Sequence, residues 1–260
     1  MPRFAANLTM MFNEHAFLDR FQAAADAGFD TVEFLFPYDH PAETIAGLLE
    51  RCGLRLALFN MPPGDWQVGE RGLACLPGRQ AEFRRSVAQA LAYADVLGTP
   101  LVHMMAGLGE SSDPEVAALY RDAVSFAADA AAKQGIAVTI EPINPRDMPG
   151  YFLNDFYQAI RLIEELAHPA LRLHFDIYHR QIIHGDVLTG LRAALPLIGH
   201  IQIASVPDRH EPVTGELDDV FLFSALDAMG YDGAVGCEYR PANGTVAGLS
   251  WLERVRQRSA

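Results

Sequence analysis

Short apolar runs alternate with longer amphipathic segments along the whole chain, with a glycine between most amphipathic segments and the run that follows. The runs occupy 4–7, 31–35, 54–59, 101–105, 137–141, 171–176, 199–203 and 234–239. Most are nearly continuous in hydrophobicity, as parallel strands covered on both faces require. Between them the period becomes that of a helix: Phe17, Phe21 and Ala24, then Phe83, Val87, Ala90 and Ala94, then Phe156, Ile160 and Ile163. Gly28, Gly53, Gly98, Gly135 and Gly230 punctuate helix exits, where a left-handed residue without a Cβ ends a helix cheaply. Asp113-Pro114 reads as a helix start, and Asn154 as the cap of the helix carrying Phe156. Serial strand–helix units of this kind, eight in number, close into an α/β barrel, and 260 residues match one (β/α)8 TIM barrel over 1–260. An open doubly wound sheet is the structural alternative, but no G-x-G-x-x-G follows the first strand and there is no Walker-type phosphate loop.

Composition narrows the function classes. A net charge of −13 disfavours nonspecific binding to nucleic-acid backbones. No apolar stretch reaches the roughly 18 residues that span a bilayer, and the first residues lack the apolar core of a signal peptide. A cytoplasmic protein without membrane or nucleic-acid partners is expected. A homo-oligomer is compatible with the sequence, which does not fix the oligomeric state. Cys52, Cys75 and Cys237 form no C-x-x-C pair, which argues against a disulfide framework or zinc knuckle, and Cys237 reads as a small buried hydrophobe inside its apolar run.

Four late runs finish on an oxygen donor: Glu141, Asp176, Gln202 and Glu238. A carboxylate at the end of a buried strand is costly to desolvate unless it is paired or coordinated. In a parallel barrel all strand C-termini meet at one mouth, where catalytic residues sit. Four donors there point to one shared divalent cation. All-oxygen ligation favours magnesium, with manganese also accommodated, over zinc. His103, His179, Arg209 and His210 form a second polar layer, with Arg71 and Arg79 in the loop after the third run; each can hold an anionic or hydroxylated substrate. His174 reads as structural. Glu33 and Asn7 end early runs and suit either the mouth or a structural hydrogen bond. Trp66 suits either a lid or an anchor for its own loop. The long connections 60–79 and 204–216 both fall at the mouth, where long loops act as lids or specificity elements.

The segments F-A-A-N-L-T-M-M-F, V-E-F-L-F-P-Y, G-D-W-x-x-G-E-R-G, L-P-G-R, E-P-I-N, F-D-I-Y-H, I-Q-I-A, H-E-P-x-x-G-E and V-G-C-E-Y resemble the hydroxypyruvate isomerase family, within the xylose isomerase-like TIM barrels. The likeness runs from Arg3 to about Trp251. V-H-M-M-A-G and P-D-R-H-E-P look more like the 2-oxo-tetronate isomerase branch, E-P-I-N more like the hydroxypyruvate branch. The resemblance implies an aldose–ketose isomerase acting on a small 2-oxo hydroxy acid by metal-assisted enediolate proton transfer. It implies that Glu141 and Glu238 ligate the metal and form the proton-transfer pair, with Asp176 and Gln202 completing the site. Related sugar epimerases have histidine where Gln202 stands; His179 and Arg209 correspond to their substrate-holding residues. A ketose 3-epimerase with the same metal site is the alternative. A DNA-repair endonuclease on this barrel would need a histidine-rich zinc cluster, whereas the nine histidines here are scattered.

Overall fold

Each expected run carries a strand in the computed structural model, which describes residues 2–258. Residues 1, 259 and 260, part of the domain expected over 1–260, lie outside the described residues. The strands are β1 (Arg3–Asn7), β2 (Thr31–Phe34), β3 (Arg55–Asn60), β4 (Leu101–His103), β5 (Ala137–Ile140), β6 (Leu171–Asp176), β7 (Ile198–Ile203) and β8 (Ala234–Cys237). They pair in sequence order, all parallel, and β1 closes on β8 with Arg3 opposite Ala234 and Ala6 opposite Cys237. This is the expected (β/α)8 barrel.

Helices pack outside it along the predicted stripes. In the helix Gln80–Leu97, Phe83, Val87, Ala90 and Ala94 are all buried, and the chain leaves through Gly98 in the left-handed conformation. Asp113 caps Pro114–Ala132, its carboxylate accepting from the amides of Glu115 and Val116. The expectation for Asn154 is corrected by one residue. Its Nδ2 donates back to Tyr151 O at 2.9 Å, so Asp155 caps Phe156–Leu166 instead, accepting from Gln158 N at 2.8 Å.

Strand alternation determines what fills the barrel. Thr139, His174, His200 and Gly236 lie two residues before the donors Glu141, Asp176, Gln202 and Glu238 on their strands. The rings of His103, His174 and His200 meet edge to face, with centroids 5.1 and 5.0 Å apart. The upper interior is therefore polar, where barrels ordinarily stack branched apolar side chains. Polar groups in such a place must hydrogen-bond or bind something, and that requirement shapes the mouth.

Both long loops are fastened to the barrel rim. In 60–79, Met61 N donates to His103 O at 2.8 Å and Cys75 N to Ala106 O at 2.9 Å. Gly72 lies so close to the exit of β4 that a Cβ there would stand 2.4 Å from Met105 O, and its φ of +117° excludes most other residues. In 204–216, Arg209 N donates to Ser205 O and Arg209 O accepts from Arg240 N, which ties the loop to the segment after β8.

Candidate active site

Three of the four expected donors end strands or follow them directly at the barrel's C-terminal mouth, and Gln202 stands one residue before the end of β7. Glu141 and Glu238 each lie one residue past the final ladder residue, where the strand has begun to turn over the opening. Asp176 and Gln202 are register partners on β6 and β7. All four side chains are buried.

Their unused atoms are the informative ones. Glu141 Oε1, Asp176 Oδ2 and Gln202 Oε1 are buried acceptors without a hydrogen-bond partner. Each such atom costs free energy that a cation would return. Ligand atoms of Glu141, Asp176 and His179 fall within 4.8 Å of one another, as do those of His103, Glu141 and His174. The donor set is rich in oxygen and can hold a divalent cation.

Electrostatics agree. Burial, followed by the nearby charges of Glu238 and Asp176, pushes the Glu141 carboxyl well above the usual carboxylate range. Burial lifts Glu238 to about 8 and Asp176 to about 6, against the pull of the Arg209 guanidinium. A divalent ion among these groups reverses the preference and holds them ionised. Carboxyls whose folded values exceed their unfolded ones take up protons on folding, so their contribution is complete below the unfolded value and lost as pH rises through the folded one. The melting temperature of chelator-treated protein is expected to fall between about pH 5 and about pH 8.5, and added Mg2+ or Mn2+ should oppose that fall most at the alkaline end. A melting temperature that climbs over this range in chelator would contradict the account.

Asn144, outside the expected set, fixes the His179 ring, and the backbone of Asp147 fixes Asn144. Asn144 Oδ1 accepts from the backbone N–H of Asp147 at 2.9 Å, so the opposite end of that amide is its NH2. That NH2 lies 2.6 Å from His179 Nδ1, and Asn144's own backbone N–H also donates to it, at 3.4 Å. Nδ1 therefore accepts. Burial holds the ring neutral by lowering its proton affinity well below the usual histidine value. The remaining proton sits on Nε2, 3.5 Å from Asp176 Oδ2 and 3.9 Å from Glu141 Oε1. His179 is a fixed donor aimed into the cluster. Asn144 is the last residue of E-P-I-N, which was the available signal for it.

Arg209 reaches the cluster from the other side. Its guanidinium donates to Glu238 Oε2 at 2.5 Å, lies 3.8 Å from Asp176 Oδ2 and 3.3 Å from Asp147 Oδ2, and sits over the Tyr178 ring. Its backbone φ is +56°, a left-handed conformation costing an ordinary residue on the order of 1–2 kcal/mol. Such strain persists where surrounding bonds enforce it, and functional sites collect it.

The other expected residues fall as follows. His103 Nε2 is 3.6 Å from Glu141 Oε2, and burial lowers its pKa to about 3. Arg71 stays inside its own loop, donating to Trp66 O and Glu70 O with its guanidinium 3.8 Å from the Trp66 ring centroid. Arg79 is taken up by Glu70 and Glu82. His210 bonds Arg240 O. Trp66 packs on Phe36 and Arg71 and remains 38% exposed. His174 is buried with both ring nitrogens unpartnered. Glu33 and Asn7 lie beneath the cluster, hydrogen-bonded to each other at 2.9 Å.

Residues 21–255 match the model of the xylose isomerase-like TIM barrels. The chain belongs to that family. Among curated members, a 2-oxo-tetronate isomerase of Cupriavidus necator is 55% identical over 97% of this chain and 98% of its own length. A hydroxypyruvate isomerase of Escherichia coli is 43% identical over 98% of this xylose isomerase-like barrel and all of its own length. A crystal structure from Brucella melitensis, titled as an AP endonuclease of family 2, superposes with a TM-score of 0.95 at 48% identity, covering 98% of this chain and 99% of that one. No helix among the described residues is long and apolar enough to cross a membrane.

Proposed function

We propose that this barrel interconverts the aldose and ketose forms of a small 2-oxo hydroxy acid, either hydroxypyruvate with its semialdehyde isomer or a 2-oxotetronate. That the chain is an isomerase of the hydroxypyruvate and 2-oxo-tetronate isomerase kind is carried by its full-length relatives. The chemistry is supported by one observation: Glu141, Asp176 and Gln202 each keep a buried acceptor without a partner at the mouth, and Glu141 and Asp176 offer ligand atoms within 4.8 Å of each other.

Glu141, Asp176, Gln202 and Glu238 would hold a divalent ion, Mg2+ by the hardness of the donors, with Mn2+ also accommodated. Such an ion supplies Lewis-acid polarisation of substrate oxygens. The chain's own side chains do the rest. A carboxylate of the Glu141–Glu238 pair removes the proton from the carbon beside the carbonyl, and the same or the opposite one returns it to the neighbouring carbon. His179 Nε2–H holds a substrate oxygen. Arg209, the arginine that stands against the carboxylate cluster, takes the substrate's carboxylate in a charge-assisted pair. A charged, hydrated substrate of this kind is consistent with a cytoplasmic location. The reading has no role for nucleic acid.

The deciding experiment is a substrate panel of hydroxypyruvate, 2-oxotetronates and neutral ketoses, assayed with Mg2+, with Mn2+ and after exhaustive chelation. Turnover of the acids that vanishes in chelator and returns with metal is expected. Full turnover without metal, or products that are 3-epimers of neutral ketoses, would displace this reading.

A further inference from the structure

We infer that Glu33 is a positioning residue that turns the Gln202 amide so that its carbonyl oxygen, and not its NH2, faces the cation-binding cluster. The inference rests on the cation reading above.

Backbone groups fix the first amide of the chain of contacts. Asn7 Oδ1 accepts from the amides of Thr9 at 3.0 Å and Met10 at 3.2 Å. A backbone N–H can only donate, so this end of the Asn7 amide is oxygen and the other is NH2. The NH2 donates to Glu33 Oε1 at 2.9 Å and approaches Glu238 Oε1 at 3.5 Å. Glu33 Oε1 thus already accepts one bond. The Gln202 amide lies 2.7 Å from the same oxygen. A carboxylate oxygen offers a second lone pair and no proton, so Gln202 must present its NH2 to it. Its Oε1 is left buried and unpartnered. The flipped amide would set two oxygens against each other and aim two N–H donors at the ion.

Glu33 differs from Glu141, Asp176 and Gln202 in keeping no buried acceptor without a partner. It is fully buried, and its second oxygen lies 2.6 Å from His200 Nε2. Both oxygens are engaged inside the barrel, which suits a residue acting through another. The barrel also makes room for it. A Cβ on Gly236 would stand 2.2 Å from Glu33 Oε2 and 2.4 Å from Oε1. Gly236 is not among the residues with positive φ, so its missing side chain serves space rather than backbone conformation. Thus β1, β2, β7 and β8 cooperate to orient a single amide.

The test reads Mn2+ affinity of metal-stripped protein by calorimetry, with circular dichroism and thermal melts to verify folding. Glu33→Leu removes the acceptor and should weaken Mn2+ binding about 10–100-fold, the usual effect of losing an outer partner of a ligand. Glu33→Gln keeps a carbonyl acceptor for Asn7 and Gln202, while His200 Nε2 can accept from its NH2. It should bind within about threefold of the parent. If Glu33→Leu does not fold, Gly236→Ala replaces it, since the new methyl displaces the carboxylate and should also weaken Mn2+. Unchanged affinity in a folded Glu33→Leu or Gly236→Ala protein overturns the inference. So does Glu33→Gln binding as weakly as Glu33→Leu, because charge rather than amide orientation would then be at work. Failure of the unsubstituted protein to bind Mn2+ overturns the cation reading and this inference with it.

Discussion

Replacing Glu238 by glutamine is expected to slow exchange of the substrate's α-proton with solvent by about 10²–10⁴-fold, the range a positioned general base contributes. The fold should survive. Burial already raises this carboxyl to about 8, so the site tolerates a neutral group of the same shape, and glutamine resembles the protonated acid. What is lost is the negative charge opposite Arg209, whose guanidinium can still donate to the amide oxygen, and the basic oxygen that accepts the proton. Proton NMR in D2O with hydroxypyruvate or a 2-oxotetronate reads the exchange directly, beside a melting curve. A folded Glu238→Gln protein that exchanges the α-proton at the parental rate removes Glu238 from the proton-transfer pair.

Arg209→Met tests the carboxylate clamp. Methionine keeps much of the side chain's length over Tyr178 and removes only the cation. Truncating one partner of a buried charged pair costs about 2–5 kcal/mol, so kcat/KM for a 2-oxo acid should fall by roughly 30-fold to several thousand-fold. Most of the loss should appear in KM. A neutral hydroxyketone of similar size should lose far less, because it brings no carboxylate to be held. Equal losses on both substrates would mean that Arg209 serves Glu238 and Asp176 rather than the substrate. The geometry makes that alternative concrete, since one guanidinium nitrogen lies 2.5 Å from Glu238 and 3.8 Å from Asp176.

Much of this was legible in the residues. Parallel strands covered on both sides must be apolar throughout, so their runs stand out against helical spacing, and β6 has the boundaries its apolar run indicates. Shorter strands such as β4 stop early because the chain bends to meet the 60–79 loop at Gly72 and Ala106. The Asn154 cap was misplaced by one residue because two adjacent cap-forming side chains look alike in sequence. Only the backbone of Tyr151 draws Asn154 away. The donors Glu141, Asp176, Gln202 and Glu238 were visible because a polar residue closing an apolar strand is conspicuous. By residue type and place alone Arg71 and Arg209 look alike, since each is an arginine in a long mouth loop, and only the family resemblance singles out Arg209. Their surroundings separate them: Arg71 lies on Trp66, and Arg209 lies on the carboxylates.

Periodicity thus determined the barrel from the sequence alone, and strand-end chemistry pointed to four oxygen-bearing side chains at its mouth, because both are local patterns repeated along the chain. Tertiary structure alone decided which way each amide and imidazole faces. Asn144 sets the His179 tautomer, and Asn7 sets, through Glu33, the Gln202 carbonyl. Those orientations depend on hydrogen bonds between segments as far apart as β2 and β7. A donor or acceptor role is fixed only when its partner, often a backbone N–H, is brought within about 3 Å.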